Sequence, residues 1–454
     1  MAYTAQGRTK NFPVFDCDSH IHEPREVWDE YIPEKQRAFA KQHFYRDMDR
    51  LVMVVNGQVS YGNPKTYAYP GQGWHPGMNK KVLGSIAPDD PKWDEEIGRN
   101  ASQRDPQVRL KDMDASGIDQ VMVFPSTFVR MPLVKNPDAA RICAAAYNDW
   151  VNDYCAADRK RLYPCAVLPV QDVDYAVQEL RRVARLGFKS AVVRPVLVND
   201  RYPTFPEFDP LWKEFEELGL ALGMHTFPSG GEAVTEAMAE RMSAGTQGKS
   251  SAQRSPFTAH EVYVYSPGQF VENIMRSMGS VQPGAESLSF ISEAQTWTMV
   301  VMLTGWLEKF PKLRVAILES NSSWLPLILE KAETYLDLYR FVREQAKPPQ
   351  KVGDPRETFA RQCFIAFESD EDVTLRLWDI FEDIALWSSD MPHHDASDTW
   401  EAVDNMNRHG VPQEVQEKLL GANARRLYGI EPELFVTEAP ADYTPVNIVP
   451  RYAG

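Results

Sequence analysis

Short apolar runs that end in polar or small residues recur along this chain, with amphipathic helical stretches between them. This alternation is the signature of repeated β-α units around a parallel sheet. Eight such runs stand out, at residues 14–18, 120–125, 162–169, 190–194, 221–225, 314–319, 363–367 and 384–388. Helical periodicity fills 108–116, 139–157, 173–186 and 209–218, with Gly187 and Gly219 as stop signals after the last two. Eight strands alternating with helices predict an α/β fold, a closed (β/α)8 TIM barrel, rather than an open sheet.

Two gaps interrupt the alternation. The first, about 24–105, follows strand 1 and holds two apolar runs, 51–55 and 58–61, on either side of Asn56-Gly57. That dipeptide supports the positive φ angles of a two-residue turn, so a β-hairpin is expected in this insertion. The second gap, about 227–282, follows strand 5 and carries Ser229-Gly230-Gly231 and a polar stretch at 245–255. It is expected to form a long, lid-like insertion. A single barrel domain therefore spans 1–430. Residues 431–454, with Pro432, Pro440, Pro445 and Pro450, form an extended tail that either wraps a neighbouring subunit or is disordered. Large insertions and a tail offer surface for a homo-oligomer, expected to be a dimer.

Composition narrows the function. Of 454 residues 43% are hydrophobic, enough for one large barrel, and the formal charge is −15. Such a surface lacks the positive footprint required by nucleic acid or anionic membranes, so neither is expected as a partner. Cys17, Cys143, Cys155, Cys165 and Cys363 form no CxxC pair and match no thiolate zinc spacing. They read as reduced core residues of a cytoplasmic protein. No leader-like segment opens the chain, and no run reaches the roughly 18 apolar residues of a membrane span.

The candidate chemistry lies at strand ends. In Phe15-Asp-Cys-Asp-Ser-His-Ile-His-Glu23, residues two apart share a strand face, so Asp18 and His20 can grip one metal. The alternative is a capping aspartate with surface histidines. His225 ends the fifth run. Asp390 falls just past the eighth, with Pro392, His393, His394 and Asp395 close behind, and either Asp390 or Asp395 can be read as a helix cap. Glu319 ends the sixth run as a ligand, a base or a buried acceptor. Arg194 ends the fourth, where it pairs with a substrate carboxylate or neutralises an aspartate of the site. In a barrel, all strand C-termini meet on one face.

Together these residues resemble the amidohydrolase superfamily: Asp-x-Asp-x-His-x-x-Glu at strand one, His at strand five and Ser-Asp-x-Pro-His at strand eight. More narrowly, they resemble the amidohydrolase-related branch that contains aminocarboxymuconate semialdehyde decarboxylase-like enzymes. Supporting motifs are Arg109-Leu-Lys-Asp-Met-Asp-Ala-Ser-Gly-Ile-Asp119, Phe310-Pro-Lys-Leu-Arg-Val, Trp324-Leu-Pro and Gly421-Ala-Asn-Ala-Arg-Arg-Leu-Tyr428. The resemblance implies that Asp18, His20, His225 and Asp390 bind metal, with Asp390 also the proton carrier. Glu319 replaces the usual sixth-strand histidine and Asp18 the first histidine. This oxygen-rich set tilts preference from zinc towards manganese or iron. Glu23 is a further candidate ligand, and with Glu319 it gives room for one or two ions per subunit.

The leading expectation is a metal-dependent hydrolase. Metal-activated water would attack a carbonyl-containing bond (amide, ester, thioester or C–C) of a small organic acid, with Asp390 and Glu319 catalytic. Arg194, His393 and His394 are the substrate-binding candidates. Aromatic residues in the insertions, among them Trp74, Phe257, Tyr263, Tyr265 and Phe270, suit an apolar or aromatic substrate or form insertion cores. The first alternative is non-oxidative decarboxylation of an aromatic or enoic acid at the same metal. The second is a non-catalytic binding barrel.

Overall fold

The computed structural model describes residues 8–47, 50, 52–61, 104–199, 201–227, 282–338, 352–393 and 396–441. All eight expected strands form, and they pair in one sheet in the order β1 (Phe15–Ile21), β5 (Gln120–Pro125), β6 (Leu162–Val167), β7 (Ser190–Val193), β8 (Ala221–His225), β9 (Arg314–Leu318), β10 (Cys363–Phe367) and β11 (Ala385–Trp387). Pairing is parallel at β1–β5, β5–β6, β7–β8, β8–β9 and β9–β10. Beyond β11 the chain returns to β1: Asp390 N–H donates to Asp18 O at 3.1 Å, and His20 N–H donates to Met391 O at 2.7 Å. This is the (β/α)8 architecture that the hydrophobic pattern predicts.

Caps set the helix boundaries. Asp105 accepts the N–H of Gln107 to start Pro106–Ser116, and Asp172 accepts the N–H of Tyr175 to start Val173–Arg185. Gly117 ends the first of these helices at φ 75°, and a Cβ there would lie 2.7 Å from the Trp400 ring, so both conformation and space demand glycine.

The expected hairpin is present as β3 (Val52–Val55) and β4 (Gln58–Tyr61), with Asn56 and Gly57 both at positive φ. A third strand, β2 (Phe44–Asp47), pairs antiparallel with β3 and was not expected. The lid reading of 227–282 falls almost wholly outside the described residues, as do Trp74, Phe257, Tyr263, Tyr265 and Phe270.

By compactness the chain divides into two units. One comprises Met1–Phe128, Ala145–Ala166 and Ala366–Gly454, and the other Val129–Ala144 and Val167–Ile365. In the first unit Asp119 organises both termini. Its carboxylate pairs with Lys10 and accepts the N–H of Val14, and also those of Phe435 and Val436 at 2.6 and 2.8 Å. The described start of the tail is thereby fastened to its own chain. No helix among the described residues is long and apolar enough to cross a membrane.

Candidate metal centre

Strand β1 is buried along its whole length and carries three of the chemical residues. The sequence reading stops it at Asp18, whereas the strand continues to Ile21, so Asp18 and His20 both sit on regular backbone. A register shift between Asp16 and Ser19 separates their surroundings. Asp16 turns to Ser389, accepting its N–H at 3.0 Å and its hydroxyl at 2.5 Å. Burial pushes the Asp16 carboxyl up to about 6 against these hydrogen bonds.

Asp18 and His20 face Asp390. His20 Nδ1 donates to Pro125 O at 3.0 Å, a bond that fixes the tautomer and leaves Nε2 as an acceptor. That Nε2 lies 3.5 Å from Asp18 Oδ1 and 3.5 Å from Asp390 Oδ1. Donors each about 2.1 Å from a shared tetrahedral ion stand about 3.4 Å apart, so these spacings fit co-ligands of one cation. His393 completes the group: His20, Asp390 and His393 each offer a ligand atom within 4.8 Å of the others. Asp18 is pushed well above the usual carboxylate range, by burial first and then by the negative charges of Asp390, Asp16 and Glu368. A cation there would offset that crowding.

Asp390 holds φ 51°, a left-handed backbone that non-glycine residues adopt rarely and mostly where surrounding structure imposes it. It does not cap the next helix. Asp398 does, accepting the N–H of Glu401 at the start of Thr399–Arg408, so the capping reading of Asp390 gives way to it, while Asp395 lies outside the described residues.

In the other unit, His225 ends β8 and Glu319 directly follows the adjoining β9, and the two offer ligand atoms within 4.8 Å of each other. His225 Nδ1 donates to Thr226 O at 2.6 Å, which fixes the tautomer as at His20 and makes Nε2 the acceptor nitrogen. Glu319, like Asp390, has a left-handed backbone, at φ 53°, and its carbonyl accepts the Thr226 hydroxyl at 2.5 Å.

Two expected site residues find other surroundings. Glu23 is buried and its carboxylate accepts the N–H groups of Ser126, Thr127 and Phe128, which ties down the chain after β5 and engages both oxygens. Arg194 pairs with Glu293 at 2.9 Å rather than with an aspartate of the site, and donates to Phe227 O at 2.7 Å. Glu293 accepts the N–H of Phe227 at 2.9 Å, so this buried pair clamps the backbone two residues beyond His225. His394 lies outside the described residues.

Two contributors escape sequence reasoning. Arg109 is buried on Pro106–Ser116 and donates to Ser19 Oγ at 2.8 Å, to Met391 O at 3.5 Å and to the carbonyl of His20, stapling the ends of β1 and β11. Its place in a recognisable motif was a signal, but not its role. Glu293 gave only a weak one, a carboxylate set in an otherwise uncharged stretch of the helix Gln282–Thr304.

Comparison with known proteins is decisive for the family: the model described as amidohydrolase matches residues 17–430. The chain belongs to the amidohydrolase family. Within this superfamily of enzymes, it is 33% identical over 124 residues to a gamma-resorcylate decarboxylase of Rhizobium radiobacter, which covers 26% of this chain and 38% of that relative. The chain thus spans about two fifths of the length of such curated decarboxylase relatives. An amidohydrolase from Mycobacterium avium subsp. paratuberculosis K-10 shares the fold at a TM-score of 0.66 and 19% identity, over 92% of this chain and 100% of that one. A 5-carboxyvanillate decarboxylase from Novosphingobium aromaticivorans DSM 12444, complexed with manganese and 4-hydroxy-3-methoxy-5-nitrobenzoic acid, superposes at a TM-score of 0.58 and 17% identity. That match covers 94% of this chain and 100% of the other. The decarboxylase relative favours the decarboxylation alternative over the hydrolysis placed first by the sequence reading.

Proposed function

We propose that this amidohydrolase-family protein is a metal-dependent, non-oxidative decarboxylase of hydroxylated aromatic acids. In this reading Asp18, His20 and Asp390 supply ligands to the cation. The observation that carries it is the carboxylate of Asp390, set 3.5 Å from the acceptor nitrogen of His20 and bonded to His393 at 2.6 Å. A carboxyl group so placed serves both as ligand and as proton carrier. The name of the decarboxylase relative supports the reaction class.

When bound, a divalent cation of the manganese type would anchor the substrate's carboxylate and an adjacent ring oxygen, and would spread their charge. The chain's own residues do the rest. Asp390, steadied by His393, delivers a proton to the ring carbon that bears the carboxylate. As that carbon–hydrogen bond forms, the bond to the carboxylate breaks, its electron pair refills the ring, and carbon dioxide leaves. Arg109 holds the backbones from which these ligands project, and the Arg194–Glu293 pair holds the backbone after His225. Glu23 serves as an anchor for the segment after β5.

The test is carbon dioxide release by the manganese-loaded chain from a panel of ortho-hydroxylated benzoic acids, run in labelled water. Carbon dioxide with no solvent oxygen in the aromatic product is expected. A product carrying solvent oxygen, with no carbon dioxide, would restore the hydrolase reading.

A further inference from the structure

His22 follows immediately on β1, past its last residue, Ile21. It is 2% exposed, and neither ring nitrogen has a hydrogen-bond partner among the described residues. Its neighbours differ: His20 is held by Pro125 O at 3.0 Å and His393 by Asp390 at 2.6 Å. Burying a polar atom without a partner forfeits its hydrogen bonds to water, so a buried imidazole with two such atoms is an expensive way to fill space. The ring also has a definite outlook. It stands edge-on to His393, with centroids 6.5 Å apart and planes at 85°, so a molecule held at Asp390 and His393 lies within its reach.

We infer that His22 is a specificity residue that hydrogen-bonds a ring hydroxyl of the acid substrate. An imidazole offers one N–H donor and one acceptor nitrogen, and a phenolic hydroxyl matches either. A carboxylate matches only the donor. The inference rests on the proposal that the site takes hydroxylated aromatic acids, but it concerns recognition and not turnover. The same space could instead hold a water molecule, and that case gives a different result in the experiment below.

The full chain loaded with manganese is titrated calorimetrically with 2,6-dihydroxybenzoate and with 2-hydroxybenzoate, which differ by one hydroxyl. The wild type is expected to bind the dihydroxy acid about tenfold more tightly or better, the size of a single well-made hydrogen bond. In His22→Phe the preference falls towards parity, while manganese content and affinity for the monohydroxy acid hold. In His22→Asn, which keeps hydrogen-bonding groups, part of the preference returns. If His22→Phe does not fold, His22→Asn against the wild type decides, with a reduced preference expected. The inference is overturned if the wild type fails to discriminate, if the variants keep the full preference as a water-filled site would, or if both acids weaken equally. Binding with the expected preference but without carbon dioxide release would defeat the decarboxylase proposal and leave this one standing.

Discussion

His393 donates through Nδ1 to Oδ1 of Asp390 at 2.6 Å, and the same oxygen lies 3.5 Å from Nε2 of His20. Asp390 is therefore the point where two imidazoles meet one carboxylate. Replacing it by asparagine keeps the shape but removes both the negative charge and the proton carrier. Asp390→Asn is expected to lose about 10²–10⁴-fold or more in kcat, while circular dichroism remains that of the wild type. Activity within a few-fold of the wild type would remove Asp390 from the chemistry.

Burial raises the Asp16 carboxyl to about 6 from an ordinary 3.8, and also raises Asp18 well above that ordinary value. A carboxyl whose folded-state pKa is raised binds protons more readily when folded. Its contribution to stability is full below the unfolded value and is lost as pH rises through the folded one. Chelator-treated protein should therefore lose stability between about pH 4 and about pH 6 on account of Asp16, with Asp18 acting in the same direction. In urea melts taken across that range, Asp16→Asn should flatten the slope. An unchanged slope would show that Asp16 does not titrate there.

The Arg194–Glu293 pair is buried and clamps Phe227 through both its N–H and its carbonyl. Arg194→Met leaves Glu293 buried without its cation and is expected to cost about 3–5 kcal/mol in denaturant unfolding. Adding Glu293→Gln removes the uncompensated charge and should recover much of that loss. A double variant as unstable as the sum of the singles would show that the two residues act independently.

Much of this architecture was legible because it is local. Each barrel strand is an apolar run with a turn signal after it, and Asn56-Gly57 announced the hairpin on its own. The ligand-type residues were legible for the same reason, standing at the ends of those runs. Their partners were not. Glu23 meets the Ser126 N–H 103 residues away, Arg109 reaches Ser19 across 90, and Arg194 finds Glu293 across 99. No periodicity encodes such contacts, so Glu23 read as a ligand and Arg194 as a substrate contact. The cap at Asp398 was overlooked for a subtler reason: Asp390 also suits the role, and only the backbone selects Asp398.

The account depends on the proposed cation being held by Asp18, His20 and Asp390. Manganese stoichiometry, measured by elemental analysis of the full chain after loading and desalting, tests this most directly when His20→Ala and Asp18→Asn are carried alongside. A single ion per chain in the wild type, lost or greatly weakened in both variants, is the expected result. A wild type that retains no divalent metal, or variants that retain it undiminished, would contradict the account.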